Sequence, residues 1–111
     1  MTAKTIEKDW GSETIFADNE LYRGKILHIK KGMSIHLQHH EKKDETMYVL
    51  SGQGWFAGQL HPSYGNFFQL NPGEVYRIKP GTIHKVWAIT DLDIIEVSNA
   101  VPDSDVIHHE P

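Results

Sequence analysis

Short runs in which apolar and polar residues alternate follow one another along most of the chain. Residues two apart in such a run share one face of an extended strand: in residues 84–89, one face carries His84, Val86 and Ala88 and the other Lys85, Trp87 and Ile89. This period of two is typical of half-buried β-strands, and no window of helical length carries a continuous apolar stripe with capping residues. The sequence therefore predicts an all-β fold.

Turn-forming residues divide the alternating runs into eight predicted strands. Gly, Pro, Asn and Ser cluster at residues 31–32, 51–54, 71–74 and 79–81, between the runs. Eight short strands of this kind predict a single-domain jelly-roll barrel of the double-stranded β-helix type, with a core at about 20–100, an N-terminal arm at 1–19 and a C-terminal tail at 101–111. The predicted strands are Tyr22 to Lys30, Ser34 to His40, Thr46 to Leu50, Trp55 to Gly58, Asn66 to Leu70, Val75 to Ile78, His84 to Ile89 and Asp93 to Val97.

Charge and composition narrow the classes of function. The 111 residues carry a formal charge of -4, with 11 basic and 15 acidic residues, which gives no electrostatic reason to expect a nucleic-acid or membrane partner. The absence of cysteine excludes thiolate metal sites and cysteine nucleophiles. The start lacks an apolar signal core and no stretch approaches membrane-spanning length, so we expect a cytoplasmic protein that acts on a small-molecule substrate.

Four potential metal donors stand at the ends of predicted strands: Gln38, His40, Glu45 and His84. Gln38 and His40 are two residues apart and share a strand face. Glu45 ends an apolar face, where an unpaired carboxylate is costly. The four residues therefore predict a site for a divalent metal. Imidazole, amide and carboxylate donors suit Zn, Mn, Fe, Co or Ni.

Two further residues are candidates for contact with a substrate. Ser34 and His36 are predicted to extend the row of Gln38 and His40, while Arg77 shares a face with Val75 and is a candidate to point into the barrel mouth. The alternative for His36 is an ordinary surface histidine, and for Arg77 an exposed strand arginine.

Aromatic residues bear on the oligomeric state. Each of the pairs Trp55-Phe56 and Phe67-Phe68 places one ring on either side of a strand. Rings on the outer face of a small barrel need cover, which predicts a homodimer.

The metal-donor segment resembles the first motif of the cupin superfamily. Gly32, His40, Glu45 and Gly52 stand at the spacings of that motif, with Gln38 at its first histidine position. The second motif is similar in Gly73, Gly81 and His84, although Lys79 and Ala88 replace its usual Pro and Asn. The resemblance implies a cupin barrel.

Within the cupins, the chain is similar to the phosphomannose isomerases of type II, from about Trp10 to about Val106. The set Gln, His, Glu, His is the zinc-ligand set of those enzymes, and the segments Gly32 to His40, Val49 to Gly52 and Pro80 to His84 resemble theirs. The resemblance implies an aldose–ketose isomerisation of a sugar or sugar phosphate, in which a metal polarises substrate oxygens and a base moves a proton. Residues 103–111 lack the Tyr-Gly-Arg run of these relatives.

The resemblance also implies catalytic roles for Lys43 and Glu45. These isomerases place a basic residue at the position of Lys43, two residues before Glu45, where it would hold phosphate or take part in proton transfer; the alternative is a solvated loop lysine. Two other functions stay open for the chain, a metal-dependent cupin dioxygenase and a non-catalytic carbohydrate-binding cupin. Gln38 favours the isomerase over the three-histidine arrangement typical of many dioxygenases.

Overall fold

The described part of the chain folds into eleven β-strands that form two antiparallel sheets. A computed structural model describes residues 1–61 and 64–110, apart from the side chains of residues 60, 61, 64 and 65, and the described part contains no helix. It therefore has no helical segment of the kind that crosses a membrane. The strands are β1 (Lys4–Lys8), β2 (Gly11–Asp18), β3 (Tyr22–Ile29), β4 (Ser34–His39), β5 (Glu45–Ser51), β6 (Gly54–His61), β7 (Tyr64–Leu70), β8 (Val75–Ile78), β9 (His84–Ala88), β10 (Leu92–Asn99) and β11 (Ile107–His108).

The two sheets interleave strands from distant parts of the chain. One sheet has the order β1-β2-β3-β10-β5-β8 and the other the order β11-β4-β9-β6-β7, with every neighbouring pair antiparallel. The chain passes repeatedly from one sheet to the other and so forms a jelly roll. The predicted all-β jelly roll is confirmed.

Each of the eight predicted strands is present, with ends that differ by at most three residues. The prediction missed three strands. Residues 1–19 are not a separate arm, because β1 and β2 extend the first sheet beyond β3. The tail forms β11, which pairs with β4. β1 has a single apolar residue, Ile6, among polar ones, which suits a sheet edge but gives little alternation to detect.

The hydrophobic core lies between the sheets and follows the alternation of the strands. Val49 and Ile94 face inward from the first sheet, and Phe56 and Val86 from the second; each is at most 1% exposed. These inward rows fix which side chains at the strand ends reach the barrel interior, because a shift by one residue would turn each row outward.

Aromatic rings lie on both faces of β6 and β7, as predicted. Phe56 stacks on Phe68 inside the barrel, with ring centroids 4.9 Å apart. On the outer face Trp55 stacks on Phe67 at 5.1 Å, and Phe67 is 63% exposed. The outer rings thus form an apolar surface.

Candidate metal centre

Three side chains bring metal-type donor atoms together at one end of the barrel. His40 follows β4, Glu45 begins β5 and His84 begins β9, and one donor atom from each lies within 4.8 Å of the other two. His84 Nε2 is 3.5 Å from Glu45 Oε1. Glu45 and His84 are 1% and 2% exposed, because both continue the inward rows of their strands. The cluster joins the two sheets, since β5 belongs to one and β9 to the other.

Backbone carbonyls orient both imidazole rings. His84 Nδ1 is 2.9 Å from the carbonyl oxygen of Thr82, and His40 Nδ1 is 2.5 Å from that of Asp105. A carbonyl oxygen only accepts, so Nδ1 carries the proton in both rings. In the neutral ring Nε2 then holds a lone pair directed into the cluster. A second hydrogen bond of this kind is what fixes metal-binding histidines in proteins.

Both histidines are held in the neutral form that binds a metal. Burial lowers the pKa of His84 to about 4, and this outweighs the opposing hydrogen bond to Thr82. Burial also lowers the pKa of His40. At neutral pH neither ring has to lose a proton before it can donate its lone pair.

The cluster leaves buried polar atoms unsatisfied. Within the described part of the chain, His40 Nε2 and both carboxylate oxygens of Glu45 are buried without a hydrogen-bond partner. Lys43 Nζ lies 3.0 Å from Glu45 Oε2 as an ion pair. Burial, and then the nearby Glu96 carboxylate, raise the pKa of Glu45 to about 8. Among the described residues, the ion pair with Lys43 leaves His40 Nε2 and Glu45 Oε1 as the buried atoms without a partner of this kind. Such atoms are costly, and a divalent cation would satisfy them, so the residues present fit such an ion.

Gln38, the other predicted donor, lies beside the cluster. It is the pairing partner of His84 across β4 and β9, and paired residues of antiparallel strands project to the same face. Gln38 and His40 also line one cavity, of about 380 Å³. The amide of Gln38 is therefore placed on the same side as the three clustered donors.

A β-bulge in β4 creates this placement. It also makes one prediction about the strand wrong. Ile35 pairs with Val86 in the core, whereas Gln38 pairs with His84, so three steps on β4 match two on β9. Ser34 pairs with Trp87 on the outer face, and its predicted place in the inward row is wrong. The extra residue resets the alternation and turns Gln38 inward.

The two predicted substrate contacts have different positions. His36 lines the cavity, but its Nε2 is 2.8 Å from the Asp9 carboxylate. Arg77 lies on the outer face of β8 and pairs with Asp44 at 3.0 and 2.6 Å. The prediction that Arg77 points into the barrel mouth is wrong, because Ile78 takes the inward position of β8.

Lys43 is buried between two carboxylates, one of which the sequence reasoning missed. Its Nζ lies 3.0 Å from both Glu45 Oε2 and Glu96 Oε2. The two carboxylates raise the pKa of Lys43 despite its burial, so the side chain stays an ammonium ion. Lys43 also lowers the pKa of Glu96 against the effect of burial. Glu96 continues the inward row of Leu92 and Ile94, and a carboxylate in an apolar row is the signal that identified Glu45.

Asp105 organises the loop that carries His40 and Lys43. In addition to its carbonyl contact with His40, its carboxylate accepts hydrogen bonds from the backbone N–H groups of Glu41, Lys42 and Lys43, at 3.0 to 3.3 Å. These backbone groups lower the pKa of Asp105. The segment predicted as a C-terminal tail thus supports the candidate metal centre.

Two glycines allow neighbouring backbone segments to pack closely against the residues of the cluster. Gly81, with φ at +83°, donates its N–H to the carbonyl oxygen of His40 at 2.6 Å and so joins the two motif segments. Gly58 pairs with His84, and a Cβ there would lie 2.8 Å from the carbonyl oxygen of Ile83 and 3.1 Å from His84 Cβ. Space beside His84 therefore depends on the absence of a side chain at residue 58.

Comparison with known families agrees with this fold. A family described as the cupin domain matches residues 25–98, which include all the clustered donors and Gln38. The chain belongs to the cupin family. Comparison with curated proteins gave no match.

Solved structures share the fold at low sequence identity. Oxalate decarboxylase from Bacillus subtilis, in a structure at pH 4.6, superposes with a TM-score of 0.81 at 14% identity, covering 98% of this chain and 32% of that one. KdgF from Halomonas sp. gives 0.79 at 17% identity, with 91% of both chains covered. The capsular polysaccharide assembling protein CapF from Staphylococcus aureus gives 0.78 at 19% identity, covering 98% and 34%. The chain spans about a third of the oxalate decarboxylase and CapF chains.

Proposed function

We propose that the protein is a metal-dependent cupin enzyme that interconverts the aldose and ketose forms of a sugar or sugar phosphate. The observation that supports the metal site is the convergence of His40, Glu45 and His84, with donor atoms within 4.8 Å and with buried atoms of His40 and Glu45 that accept no hydrogen bond from the described residues. Gln38 completes the proposed ligand set from the facing position on β4. The identity of this first donor supports an isomerase within the cupin family.

A divalent ion held by these residues would polarise the substrate oxygens at C1 and C2 and so acidify the C–H group at C2 of the aldose or at C1 of the ketose. The protein residues then have separate roles. Glu45 holds the ion. Lys43 donates hydrogen bonds, since it keeps its proton between Glu45 and Glu96 and is a poor base. A base within reach of the substrate must carry a proton between C1 and C2, and Glu96 is the cavity-lining carboxylate beside Lys43 that we assign to this role.

Metal analysis and a coupled assay test the proposal. Elemental analysis of the purified protein should give one divalent ion per chain, and His84→Ala should remove both the ion and turnover. Glu96→Gln should keep the ion but lower kcat by about a hundredfold or more. A fully folded protein with no affinity for Zn, Mn, Fe, Co or Ni would refute the metal site.

Other outcomes would point to the alternative functions. Oxygen uptake by the iron-loaded protein would favour a cupin dioxygenase. Saturable sugar binding without turnover, over a panel of hexoses, pentoses and their phosphates, would favour a carbohydrate-binding cupin.

A further inference from the structure

The charge of the cavity wall beside the metal centre bears on which substrate the site accepts. Resting on the proposed function, we propose that this site takes an uncharged polyhydroxyl compound, such as an unphosphorylated sugar, in preference to a phosphate ester.

The cavity wall has an excess of negative charge. The four cationic side chains that line it are Lys8, Arg23, Lys25 and Lys43, and the six carboxylates are Asp9, Glu13, Asp18, Glu96, Asp103 and Asp105. When the carboxylate of Glu45 and the two charges of a divalent ion are included, six positive charges face seven negative ones. A phosphate dianion would therefore enter a site with no net positive charge, which opposes its binding.

Each of these cations is already paired with a carboxylate. Lys25 Nζ is 3.5 Å from both oxygens of Glu13, and Lys8 is 3.9 Å from the same carboxylate. Arg23 binds Asp18 at 3.1 Å and Asp103 at 3.0 Å. A phosphate group would have to displace one of these partners before it could form the bidentate contact that arginine usually provides.

Lys43 offers no free charge to a phosphate either. Its ammonium is shared between Glu45 and Glu96 at 3.0 Å each. The second arginine, Arg77, is on the outer face with Asp44. None of the cations that line the described cavity wall is therefore free for an anionic substrate group.

The same wall suits hydroxyl groups. Paired ammonium and carboxylate groups present donors and acceptors side by side, and a hydroxyl both donates and accepts. Trp10 and Leu27 line the cavity between the charged pairs and provide apolar surface for the C–H faces of a sugar ring. The volume of about 380 Å³ is in the range of small-ligand pockets.

Glu13 is the residue that sets this preference most directly. It is 7% exposed and lies between Lys8 and Lys25, so neutralising it frees two cations at once. Glu20 provides the matched control, because it is exposed, does not line the cavity and gives the same change in charge.

Calorimetry on zinc-loaded protein tests the inference. The probes are neutral hexoses and pentoses, their phosphate esters and inorganic phosphate, after the metal content has been measured. We expect the tightest neutral sugar to bind about tenfold or more strongly than its own phosphate ester, and inorganic phosphate not to compete. Glu13→Gln should shift this ratio about fivefold or more towards the ester, and Glu20→Gln should leave it unchanged.

A second variant covers the case in which Glu13→Gln fails to fold. Asp103→Asn removes one partner of Arg23 at a position whose side chain is 91% exposed, and it should shift the ratio in the same direction. Equal or tighter binding of the ester to metal-loaded wild-type protein, or no sugar binding at all, would overturn this inference and leave the metal site standing. Absence of metal would instead overturn the proposed function.

Discussion

The carbonyl oxygen of Asp105 accepts a hydrogen bond from Nδ1 of His40 across 65 positions of sequence, at 2.5 Å. The same residue binds three consecutive backbone N–H groups through its carboxylate. One residue near the C-terminus thus fixes both the ring of a proposed metal ligand and the loop that follows it.

Asp105→Ala should weaken metal binding by about tenfold to a hundredfold, the range observed when groups that orient metal ligands are removed. The carbonyl of residue 105 remains, but the loop at 41–43 loses its acceptor and no longer holds that carbonyl against His40. Competition with a chelating dye measures the affinity, and the visible spectrum of the Co²⁺ form reports the ligand geometry. Asp103→Ala is the control, since Asp103 contacts Arg23 instead. Unchanged affinity and spectrum in Asp105→Ala would contradict the role.

Lys43→Met should destabilise the metal-free protein by roughly 3 to 5 kcal/mol, because it leaves the buried carboxylate of Glu96 without its cation. Urea unfolding at pH 7 with a chelator measures the loss. The double variant Lys43→Met/Glu96→Gln should recover part of it. Lys42→Met removes an exposed neighbouring lysine and should change stability little. A loss as large in Lys42→Met would show that the buried pairing is not the cause.

The contribution of His84 to the stability of the metal-free protein should be lost as the pH falls from about 6.5 to about 4. His84 has a pKa of about 4 in the folded chain against an ordinary value of 6.5, so in this interval the unfolded chain binds a proton at His84 that the folded chain does not. This contribution amounts to up to roughly 3 kcal/mol. Glu45 opposes it, because its raised pKa of about 8 makes the folded chain bind the extra proton at that residue. Urea unfolding should therefore show that the stability of wild type relative to His84→Gln falls as the pH decreases across this range. His108→Gln, at an exposed residue, should keep the wild-type dependence.

The outer aromatic surface of Trp55, Phe67 and Trp87 should be a dimer interface. Phe67 lies 5.1 Å from Trp55 and 5.7 Å from Trp87 between ring centroids, and it is 63% exposed. Phe67→Ser should raise the dimer dissociation constant about tenfold or more by sedimentation equilibrium. Tyr22→Ser, at a residue 56% exposed elsewhere, should have no effect. A wild-type monomer at all concentrations would refute the interface.

Strand alternation explains why much of the candidate site could be predicted from the sequence. Glu45 and His84 begin inward rows whose apolar members identify the buried face. Glu96 carried the same signal in β10 and could have been found. The bulge in β4 could not, because Ser34 and His36 fit a regular row equally well, and only pairing with β9 shifts the register.

Tertiary contacts determine the features that the sequence did not reveal. The sequence around Asp105 does not indicate that its carbonyl and carboxylate oxygens contact residues 40–43. These contacts exist only once the segment that carries Asp105 has folded back onto that loop. Arg77 was misplaced for a similar reason: on a short strand of four residues, alternation does not tell which face is inward.

The long sequence separation between Asp105 and His40 affects the order of events during synthesis. A nascent chain that has left the ribosome as far as β10 already contains all four proposed donors, yet it lacks the carbonyl that orients the His40 ring. Residues from both sheets can then pair and bury the core before that carbonyl emerges. The His40 ring is therefore held in its final orientation only after residue 105 has emerged, so an ion bound before that point would lack this orienting hydrogen bond.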